Sequence, residues 1–363
     1  MSSPNNRFEF GLATENDSKE ILGIYESGEF TGGISVLYTR RPDPYRSLML
    51  EGEKVVLPII RDKERGNICA IGCCVIRKAY INENIKNVGY LTGLKILPEY
   101  RRRTPYISEV YKFLHDETRE FVDIYYTTIL EENITAQKML EKKRKNMPEY
   151  KYQGNYTVYC FATGKKGLFN GVKPKSVFRN PEYLLEKGNT KGLNEFYNEN
   201  LKSCDFSPSG IDLAGLQSED IFTLRDKNND IVAACAVWNQ QSYKQYIITG
   251  YNGIFKYISK FPTRWLGYPS FPKEKTSANY ACIALFCSKV DDYGLLEEFI
   301  RKVAQESSKF DFIMYGLFEN NPMNVVLQKI KHVKYRSKVY LVDWEEPVIN
   351  IGSRPINLEV GLL

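Results

Sequence analysis

Apolar and polar positions in the first half of the chain switch repeatedly between strand-like and helix-like spacing. Residues 8–12 read as a strand, and the apolar spacing after it predicts a helix capped by Asn16 or Asp17. Further predicted strands are residues 55–60, 68–76, 88–97, 123–130 and 156–161, and further predicted helices are residues 105–120 and 134–143. A polar turn at residues 63–67 predicts a hairpin between two of the early strands. Several strands followed by strand–helix–strand–helix–strand indicate an α+β layer with a mixed sheet.

The second half repeats this order of elements. Its predicted strands are residues 221–225, 231–238, 279–287 and 311–318, and its predicted helices are residues 293–306 and 323–330. The segments 123–133 and 311–321 align without a gap, both running from Asp to Glu-x-Asn, at an offset of 311 − 123 = 188. The same offset places the strand at 88–97 on the second-half strand that ends at Cys287. Matching order and spacing favour an internal duplication over chance similarity.

The limits of the two repeats follow from length and composition. Residues 163–175 are rich in Gly and Lys and form the predicted linker. A chain of 363 residues is long enough for two domains, which we place at residues 1–165 and 172–346. Residues 347–363 form a strand-like tail, in which apolar and polar residues alternate from Arg354 to Val360 as in an edge strand.

Composition narrows the class of protein. With 43% hydrophobic and 26% charged residues the chain is typical of globular proteins, and its polar N-terminus lacks the apolar region of a secretory signal, so a cytoplasmic location is expected. The eight cysteines lie mostly in apolar, strand-like runs without a Cys-x-x-Cys pair, and there are only two histidines. Buried reduced thiols are therefore expected, and neither a metal site nor Ser-His-Asp catalysis is supported.

Charge and hydropathy limit the partners. The net charge of 50 − 44 = +6 suits an anionic ligand but is too diffuse to indicate nucleic acid. The longest apolar stretch, residues 68–76, is far shorter than the roughly 20 residues of a membrane span, so no membrane partner is expected. Neither observation bears on the oligomeric state, which stays open.

A basic stretch ends the strand at 88–97 and leads into the next helix. It reads Leu94-Lys-Ile-Leu-Pro-Glu-Tyr-Arg-Arg-Arg-Thr-Pro-Tyr106. Backbone N–H groups at a strand-to-helix turn, together with the helix dipole, form a binding site for a pyrophosphate, and Arg101 and Arg103 would add charge-assisted contacts. The competing interpretation is structural, because Thr104 and Pro105 also begin a helix well.

This stretch resembles the acetyl-CoA-binding motif of the GNAT N-acyltransferases, in which a Leu-Pro-Glu-Tyr-Arg-like strand end leads into an Arg/Gln-x-x-Gly-x-Gly/Ala loop. The matching loop here runs from Arg101 to Tyr106, and Asn133-Ile-Thr-Ala136 resembles the Asn-x-x-Ala helix of the family. The resemblance extends over most of residues 8–161, and the repeat carries it into the second half. It implies an α+β fold of two tandem GNAT-like domains.

The resemblance also implies a coenzyme A site in the N-terminal domain. Its residues would be Leu94, Ile96, Arg101, Arg102, Arg103, Thr104, Pro105, Tyr106 and Asn133. The backbone of Leu94 and Ile96 would pair with the pantetheine amides, and Asn133 would reach the pantetheine arm from the opposite helix. Thr104 and Tyr106 replace the two glycines of the family, which crowds an approaching phosphate.

The second copy of the loop carries the opposite charge. The 188 offset places residues 289–294 over the phosphate loop, where Asp291 and Asp292 would repel a pyrophosphate. The second domain is therefore predicted to be degenerate, and the coenzyme A site is expected in the first.

The candidates for a catalytic base are carboxylates. Acyl transfer to an amine needs a base for the ammonium proton, and Glu131 and Glu132 end the strand beside the expected thioester, although such residues also serve as helix caps. N-myristoyltransferases, tandem GNAT proteins that this layout resembles, use their terminal carboxylate, which implies Leu363 or Glu359 here. Many GNAT enzymes protonate the leaving thiolate with a Tyr, and Leu140 stands at that position.

The resemblance implies an acyl-CoA-dependent N-acyltransferase, with acetyl-CoA as the default donor and a small-molecule or peptide amine of unknown identity as the acceptor. Two alternatives stay open. The missing Tyr and glycines favour a catalytically silent coenzyme A-binding or interaction module. A Fem-like transferase that takes its acyl group from aminoacyl-tRNA would use the basic cluster at residues 138–145, although nucleic acid is not the expected partner.

Overall fold

The computed structural model describes residues 7–101, 107–144, 147–164, 180–344, 351–352 and 354–363. Its strands are β1 (Phe8–Leu12), β2 (Ile34–Thr39), β3 (Lys54–Val56), β4 (Pro58–Asp62), β5 (Asn67–Ile81), β6 (Asn84–Ile96), β7 (Ile124–Leu130), β8 (Glu149–Ala162), β9 (Leu184–Lys187), β10 (Ile221–Arg225), β11 (Ile231–Trp238), β12 (Gln245–Tyr251), β13 (Thr276–Ser277), β14 (Tyr280–Ser288), β15 (Phe312–Phe318) and β16 (His332–Asp343). Its α-helices are α1 (Ser18–Glu26), α2 (Pro44–Met49), α3 (Ile107–Thr118), α4 (Ile134–Leu140), α5 (Leu193–Asn200), α6 (Phe255–Ile258), α7 (Tyr293–Glu306) and α8 (Met323–Gln328). None of the helices that the structure describes is long and apolar enough to cross a membrane.

Local sequence sets several of these boundaries. The Asp17 carboxylate accepts a hydrogen bond from the Thr14 N–H at 2.8 Å and so holds the turn from which α1 starts. α2 begins with Pro44 after Asp43, whose side chain accepts from the Arg46 N–H at 3.1 Å. The predicted elements up to residue 330 are present, but the strand at 55–60 is split into β3 and β4. Two strands are longer than predicted: β5 ends five residues later and β8 begins seven residues earlier. Elements that the sequence did not predict include β2, α2, β12 and β16.

Thirteen of the described strands form one sheet, in the order β1-β4-β5-β6-β7-β16-β8-β15-β14-β11-β10-β9, with β3 paired to β5 outside this path. Most neighbours are antiparallel, whereas β6 with β7 and β14 with β15 are parallel. A separate sheet, β13-β12-β2, joins the two halves of the sequence. A mixed sheet with helices packed against it confirms the predicted α+β class.

The last strand of each half forms its backbone pairs with strands of the other half. β16 lies between β7 and β8, and β8 lies between β16 and β15. The largest cluster of buried apolar side chains also draws on both halves, with Tyr25, Tyr90, Tyr280 and Leu358 among its members. The two halves therefore share one continuous sheet. The domain limits at 165 and 172 stay predictions, since residues 165–179 lie outside the described residues.

The duplicated unit is visible as β6–α3–β7–α4 and β14–α7–β15–α8. Its parallel pairs begin with Val88 opposite Ile124 and with Tyr280 opposite Phe312. Ile124 and Phe312 keep the predicted offset, 312 − 124 = 188, but Val88 and Tyr280 are separated by 280 − 88 = 192. The single offset is wrong for this strand because the connection before the helix is shorter in the second half.

The tail differs from its prediction. Instead of an edge strand it makes one parallel bridge, Ile356 with Asp205, followed by a 3₁₀ helix over Val360–Leu362. An edge strand exposes alternate side chains, whereas residues 358–362 are all buried. In the described part of the tail, residues 351–352 and 354–363, the predicted strand is therefore absent, and residues 358–362 are enclosed by the protein.

Candidate functional site

The two parallel strands of the first half diverge after a short paired stretch. Backbone pairing of β6 with β7 covers only residues 88–90 opposite residues 124–126, although both strands continue for several more residues. Beyond this point the sheet order gives β6 no strand neighbour on its β7 side. We call the gap between residues 91–96 and residues 127–130 the wedge, and the point at which pairing stops its apex.

A bulge shapes the open edge of β6. The register between β5 and β6 shifts at Gly93, which adopts a φ of +65°. A side chain at Gly93 would strain this backbone, and its Cβ would lie 2.7 Å from the Tyr25 hydroxyl. At the apex, the Thr127 hydroxyl donates to the Leu91 carbonyl at 2.6 Å and takes the place of a backbone bond. The local sequence therefore favours divergence of the two strands.

Two of the predicted cofactor residues lie along this open edge. Leu94 and Ile96 are half-buried and line a small apolar cavity together with Ile107 and Val110 of α3. Arg101 is exposed, and its Nε donates to the Ile96 carbonyl at 3.2 Å. The remaining loop residues, Arg102, Arg103, Thr104, Pro105 and Tyr106, lie outside the described residues, so their roles stay predictions.

Asn133 lies across the wedge, after the end of β7. Its side-chain oxygen accepts a hydrogen bond from the Ala136 N–H at 3.2 Å and caps α4. An approaching ligand would therefore meet the amide nitrogen of Asn133 and not its oxygen.

Sequence reasoning missed Lys95, in the wedge part of β6. Its ammonium donates to the carbonyls of Tyr25 and Gly28 at the end of α1, the latter at 3.3 Å. Burial, with the nearby charge of Arg101, lowers the pKa of Lys95 to about 8. Because a cation is favourable at a helix C-terminus, Lys95 ties α1 to the wedge and adds positive charge beside the predicted phosphate loop.

The end of the chain reaches the apex. Arg77 of β5 donates from one guanidinium nitrogen to the Leu362 carbonyl at 2.7 Å and from the other to the Tyr126 hydroxyl at 3.2 Å. Tyr126 is the last residue of β7 that pairs with β6. The main-chain oxygen of Leu363 accepts from Lys244 Nζ at 2.9 Å. The main chain of Leu362 and Leu363 is thus held near the point where the two strands part.

Buried charged side chains hold these terminal residues. Lys244 also donates to the Gly361 carbonyl at 3.1 Å and pairs with Glu51 at 3.0 Å, and Arg40 pairs with the same Glu51 oxygen at 2.8 Å. Although burial alone would raise the pKa of Glu51, Arg40, Lys244 and Arg77 lower it to about 2. We call Arg40, Glu51, Arg77 and Lys244 the buried cluster, although Arg77 itself is only half-buried. The cluster has three cations and one carboxylate, so it surrounds residues 361–363 with an excess of positive charge.

Known proteins of the same architecture are found by structure and not by sequence. No protein-family model matches the chain, and no curated protein matches it. N-myristoyltransferase from Saccharomyces cerevisiae with bound myristoyl-CoA superposes with a TM-score of 0.57 at 10% identity, over 99% of this chain and 88% of that chain. A second structure of that enzyme with bound myristoyl-CoA gives 0.56 at 11% identity, over 99% and 84%. A conserved protein of unknown function from Enterococcus faecalis V583, described as a probable N-acyltransferase, gives 0.50 at 9% identity, over 93% and 73%.

The superposition with the yeast enzyme extends over 99% of the chain and so covers both halves. The chain has the tandem GNAT-type fold. In this tandem GNAT fold, β6 and β7 are the diverging strands of the first unit, and β14 and β15 are those of the second.

The second GNAT unit has a short connection where the first has its predicted phosphate loop. Only residues 289–292 join β14 to α7. The Asp292 carboxylate accepts from the N–H groups of Gly294 at 2.9 Å and Leu295 at 3.0 Å. A carboxylate thus occupies the helix N–H groups that a phosphate would use. The degenerate character of this domain stays a prediction, and the cap is an observation in its favour.

Other predicted catalytic positions of the GNAT fold lie away from the apex. Glu131 and Glu132 are exposed just beyond β7, and Glu131 follows Tyr126 by five residues, which is about 16 Å along a strand. The Glu132 carboxylate lies against Gly32, where a Cβ would overlap it. Both carboxylates therefore lie at the mouth of the wedge, whereas Leu363 lies at its apex.

Leu140, at the position of the family Tyr, belongs to a buried cluster with Tyr111, Leu114 and Tyr125. Its side chain packs in this core, so a larger phenol there would have to displace packed neighbours. Introducing the Tyr of the family at this position would therefore disturb the core packing in addition to supplying a phenol.

Glu359 is a buried carboxylate that should make stability depend on pH. Its side chain accepts from the Leu285 N–H at 3.0 Å, and burial raises its pKa from 4.5 to about 7. The folded chain holds this proton more tightly than the unfolded chain, so the stabilising contribution is complete below pH 4.5 and is lost as the pH rises through 7. Relative to Glu359→Gln, the wild type should lose up to about 3 kcal/mol of unfolding free energy between about pH 4.5 and pH 8. Urea unfolding of both proteins at the two pH values measures this, and parallel profiles would contradict it.

Proposed function

We propose that this chain is an acyl-CoA-dependent N-acyltransferase whose base is the carboxylate of Leu363. Acyl-CoA would lie in the wedge, with its pyrophosphate at residues 101–106 and its pantetheine arm along Leu94 and Ile96. Acetyl-CoA is the proposed donor, and a small-molecule or peptide amine is the proposed acceptor. The observation that carries this proposal is that Arg77 joins the Leu362 carbonyl to Tyr126 at the apex while Lys244 holds the next residue, Leu363.

The chemistry requires a proton acceptor at the place where the thioester would lie. An amine is mostly protonated near neutral pH and must lose a proton before it can attack. The Leu363 carboxylate takes that proton, and the free nitrogen attacks the thioester carbonyl carbon. As the C–N bond forms and the C–S bond breaks, the second nitrogen proton leaves and the coenzyme A thiolate is protonated. The products are the amide, the coenzyme A thiol and one released proton.

The buried cluster would position this base. Lys244 fixes one oxygen of Leu363, and Arg77 fixes the preceding carbonyl while contacting Tyr126 at the apex. A nearby ammonium favours the ionised form of a carboxylate, and only this form can accept a proton. The same attraction makes the carboxylate a weaker base. We therefore expect slow acyl transfer.

The charge around the wedge supports an anionic cofactor. Lys95 and Arg101 lie beside the predicted phosphate loop, and Arg102 and Arg103 follow in the sequence. The yeast structures of the same fold hold myristoyl-CoA, which favours an acyl-CoA as the ligand. Their low identity to this chain leaves the length of the acyl group to be measured.

Ligand binding tests the cofactor site. Acetyl-CoA at a hundredfold excess over its Kd should raise the free energy of unfolding by about 2.7 kcal/mol. Arg101→Ala combined with Arg103→Ala should lose most of this gain, because two cations that would face the pyrophosphate are removed. Asp291→Ala, at the equivalent connection of the second half, should keep it. The measurement is a thermal shift with acetyl-CoA, myristoyl-CoA and free coenzyme A.

Two outcomes would count against the proposal. If none of these ligands produces a thermal shift, the proposal that acyl-CoA binds in the wedge is refuted. A normal shift without coenzyme A release from any member of an amine panel would instead favour the silent binding module.

A further inference from the structure

Large apolar side chains are exposed together on one segment of the second half. Ile254, Tyr257, Phe261, Trp265 and Leu266 are each 58% to 67% exposed. Ile254 directly precedes α6, Tyr257 lies within it and Phe261 follows the turn after it, at a spacing of i, i+3 and i+7. The other two lie on the 3₁₀ helix Thr263–Leu266. We call these five residues the apolar patch.

The opposite side of the same segment is packed against the protein. The Phe255 ring lies 5.9 Å from the Phe271 ring, and a Cβ at Gly33 would come within 2.8 Å of it. Thr263 is buried and donates to the Pro269 carbonyl at 2.7 Å. The segment is therefore held in place, and the patch projects outward from a fixed base.

Positive charge accompanies the patch. Residues 252–275 contain five cations and a single carboxylate, Glu274. The cations are Lys256, Lys260, Arg264, Lys273 and Lys275. The four lysines are exposed, while Arg264 donates inward to the Thr163 carbonyl at 2.8 Å. The segment thus combines exposed aromatic and aliphatic side chains with exposed ammonium groups.

We propose that the apolar patch docks the protein onto the surface of an anionic lipid bilayer. Trp265 and Tyr257 have the amphipathic rings that favour the headgroup region, and Phe261, Ile254 and Leu266 can enter the acyl boundary below it. Exposed lysines beside such a patch are attracted to anionic headgroups. The charge favours lipid over a protein partner, because the buried centre of a protein interface is depleted of Lys.

Docking of this kind needs no membrane-spanning segment, so it is compatible with the short apolar stretches of the chain. The docking segment also lies next to the mouth of the wedge. Gly33 contacts Phe255 of the packed face, and the adjacent Gly32 contacts Glu132 at the end of β7.

Vesicle binding by the full chain tests the proposal. Vesicles of phosphatidylcholine with about one third phosphatidylserine should co-sediment the protein and shift the emission of exposed Trp265 to shorter wavelength. Tyr257→Ser, Phe261→Ser and Leu266→Ser together should weaken this binding at least about tenfold, since three inserted side chains are lost. The control changes two equally exposed residues elsewhere, Ile85→Ser and Leu184→Ser.

The electrostatic part has its own variant. Lys256→Glu with Lys260→Glu should weaken binding to the anionic vesicles and reduce its dependence on salt. Equal binding of the wild type to vesicles of pure phosphatidylcholine would overturn the role of charge. Failure to bind either vesicle, or equal binding by the triple serine variant, would overturn the proposal. Self-association that the triple variant abolishes, without any vesicle binding, would assign the patch to a second copy of the chain.

Discussion

A single glycine added after Leu363 should slow acyl transfer by roughly 10²–10⁴-fold while leaving acyl-CoA binding unchanged. The added residue moves the carboxylate away from the Lys244 contact at the apex, where residues 358–362 are already buried. The base would then be displaced, whereas the phosphate loop and the open edge of β6 would be untouched. Coenzyme A release is measured with whichever amine of a panel reacts fastest, and binding is measured by thermal shift.

The rival carboxylates supply the comparison. Glu131→Gln and Glu132→Gln lie at the mouth of the wedge and should keep near wild-type rates. If either variant loses activity and the glycine extension does not, the base is at the mouth and the role of Leu363 is refuted. Urea unfolding of each variant separates loss of the base from loss of the fold.

Glu51→Gln should lower the free energy of unfolding by about 3–5 kcal/mol, because it leaves buried cations without their carboxylate. Glu51 is almost fully buried and pairs with both Arg40 and Lys244. Its lowered pKa of about 2 means that this stabilising contribution is present above pH 4.5 and is lost as the pH falls through 2. The difference from the wild type should therefore stay constant between about pH 5 and pH 8.

A neighbouring residue provides a matched control. Glu53 pairs with Lys78 at 3.0 Å, but both side chains are more than half exposed. Glu53→Gln should cost less than about 1 kcal/mol, as is usual for exposed ion pairs. Chemical denaturation of the two variants side by side decides the matter, and equal costs would show that the buried cluster does not stabilise the fold.

The duplicated unit was predictable because its signals are local. The strand–helix–strand order and the Asp-to-Glu-x-Asn segments are read from periodicity and short spacings, and these locate β7 and β15 to within a residue. The common offset failed between β6 and β14 because a shortened connection leaves no mark on the apolar pattern. The exchange of β8 and β16 was not predictable either, since an alternating strand satisfies either neighbour equally well.

The sequence predicts only some of the residues at the apex. Terminal Leu363 was a candidate through resemblance to N-myristoyltransferases, but the residues that hold it were missed because they are scattered along the chain. A signal was present: Arg77 directly follows the apolar run at residues 68–76. A cation inside a buried strand requires an acceptor, but the sequence could not show that the acceptors include the backbone carbonyls of Glu51 and Leu362.

Because β8 and β16 pair with strands of the other half, the sheet cannot be completed until both halves have been synthesised. β7 ends at residue 130 and its partner β16 begins at residue 332, so 332 − 130 = 202 residues of synthesis separate two neighbours in the sheet. At about 5–20 residues per second, this leaves the edge of β7 without its partner for roughly 10–40 s. An unpartnered edge is a template for aggregation. We therefore expect a chaperone to protect the nascent first half until β16 has been synthesised.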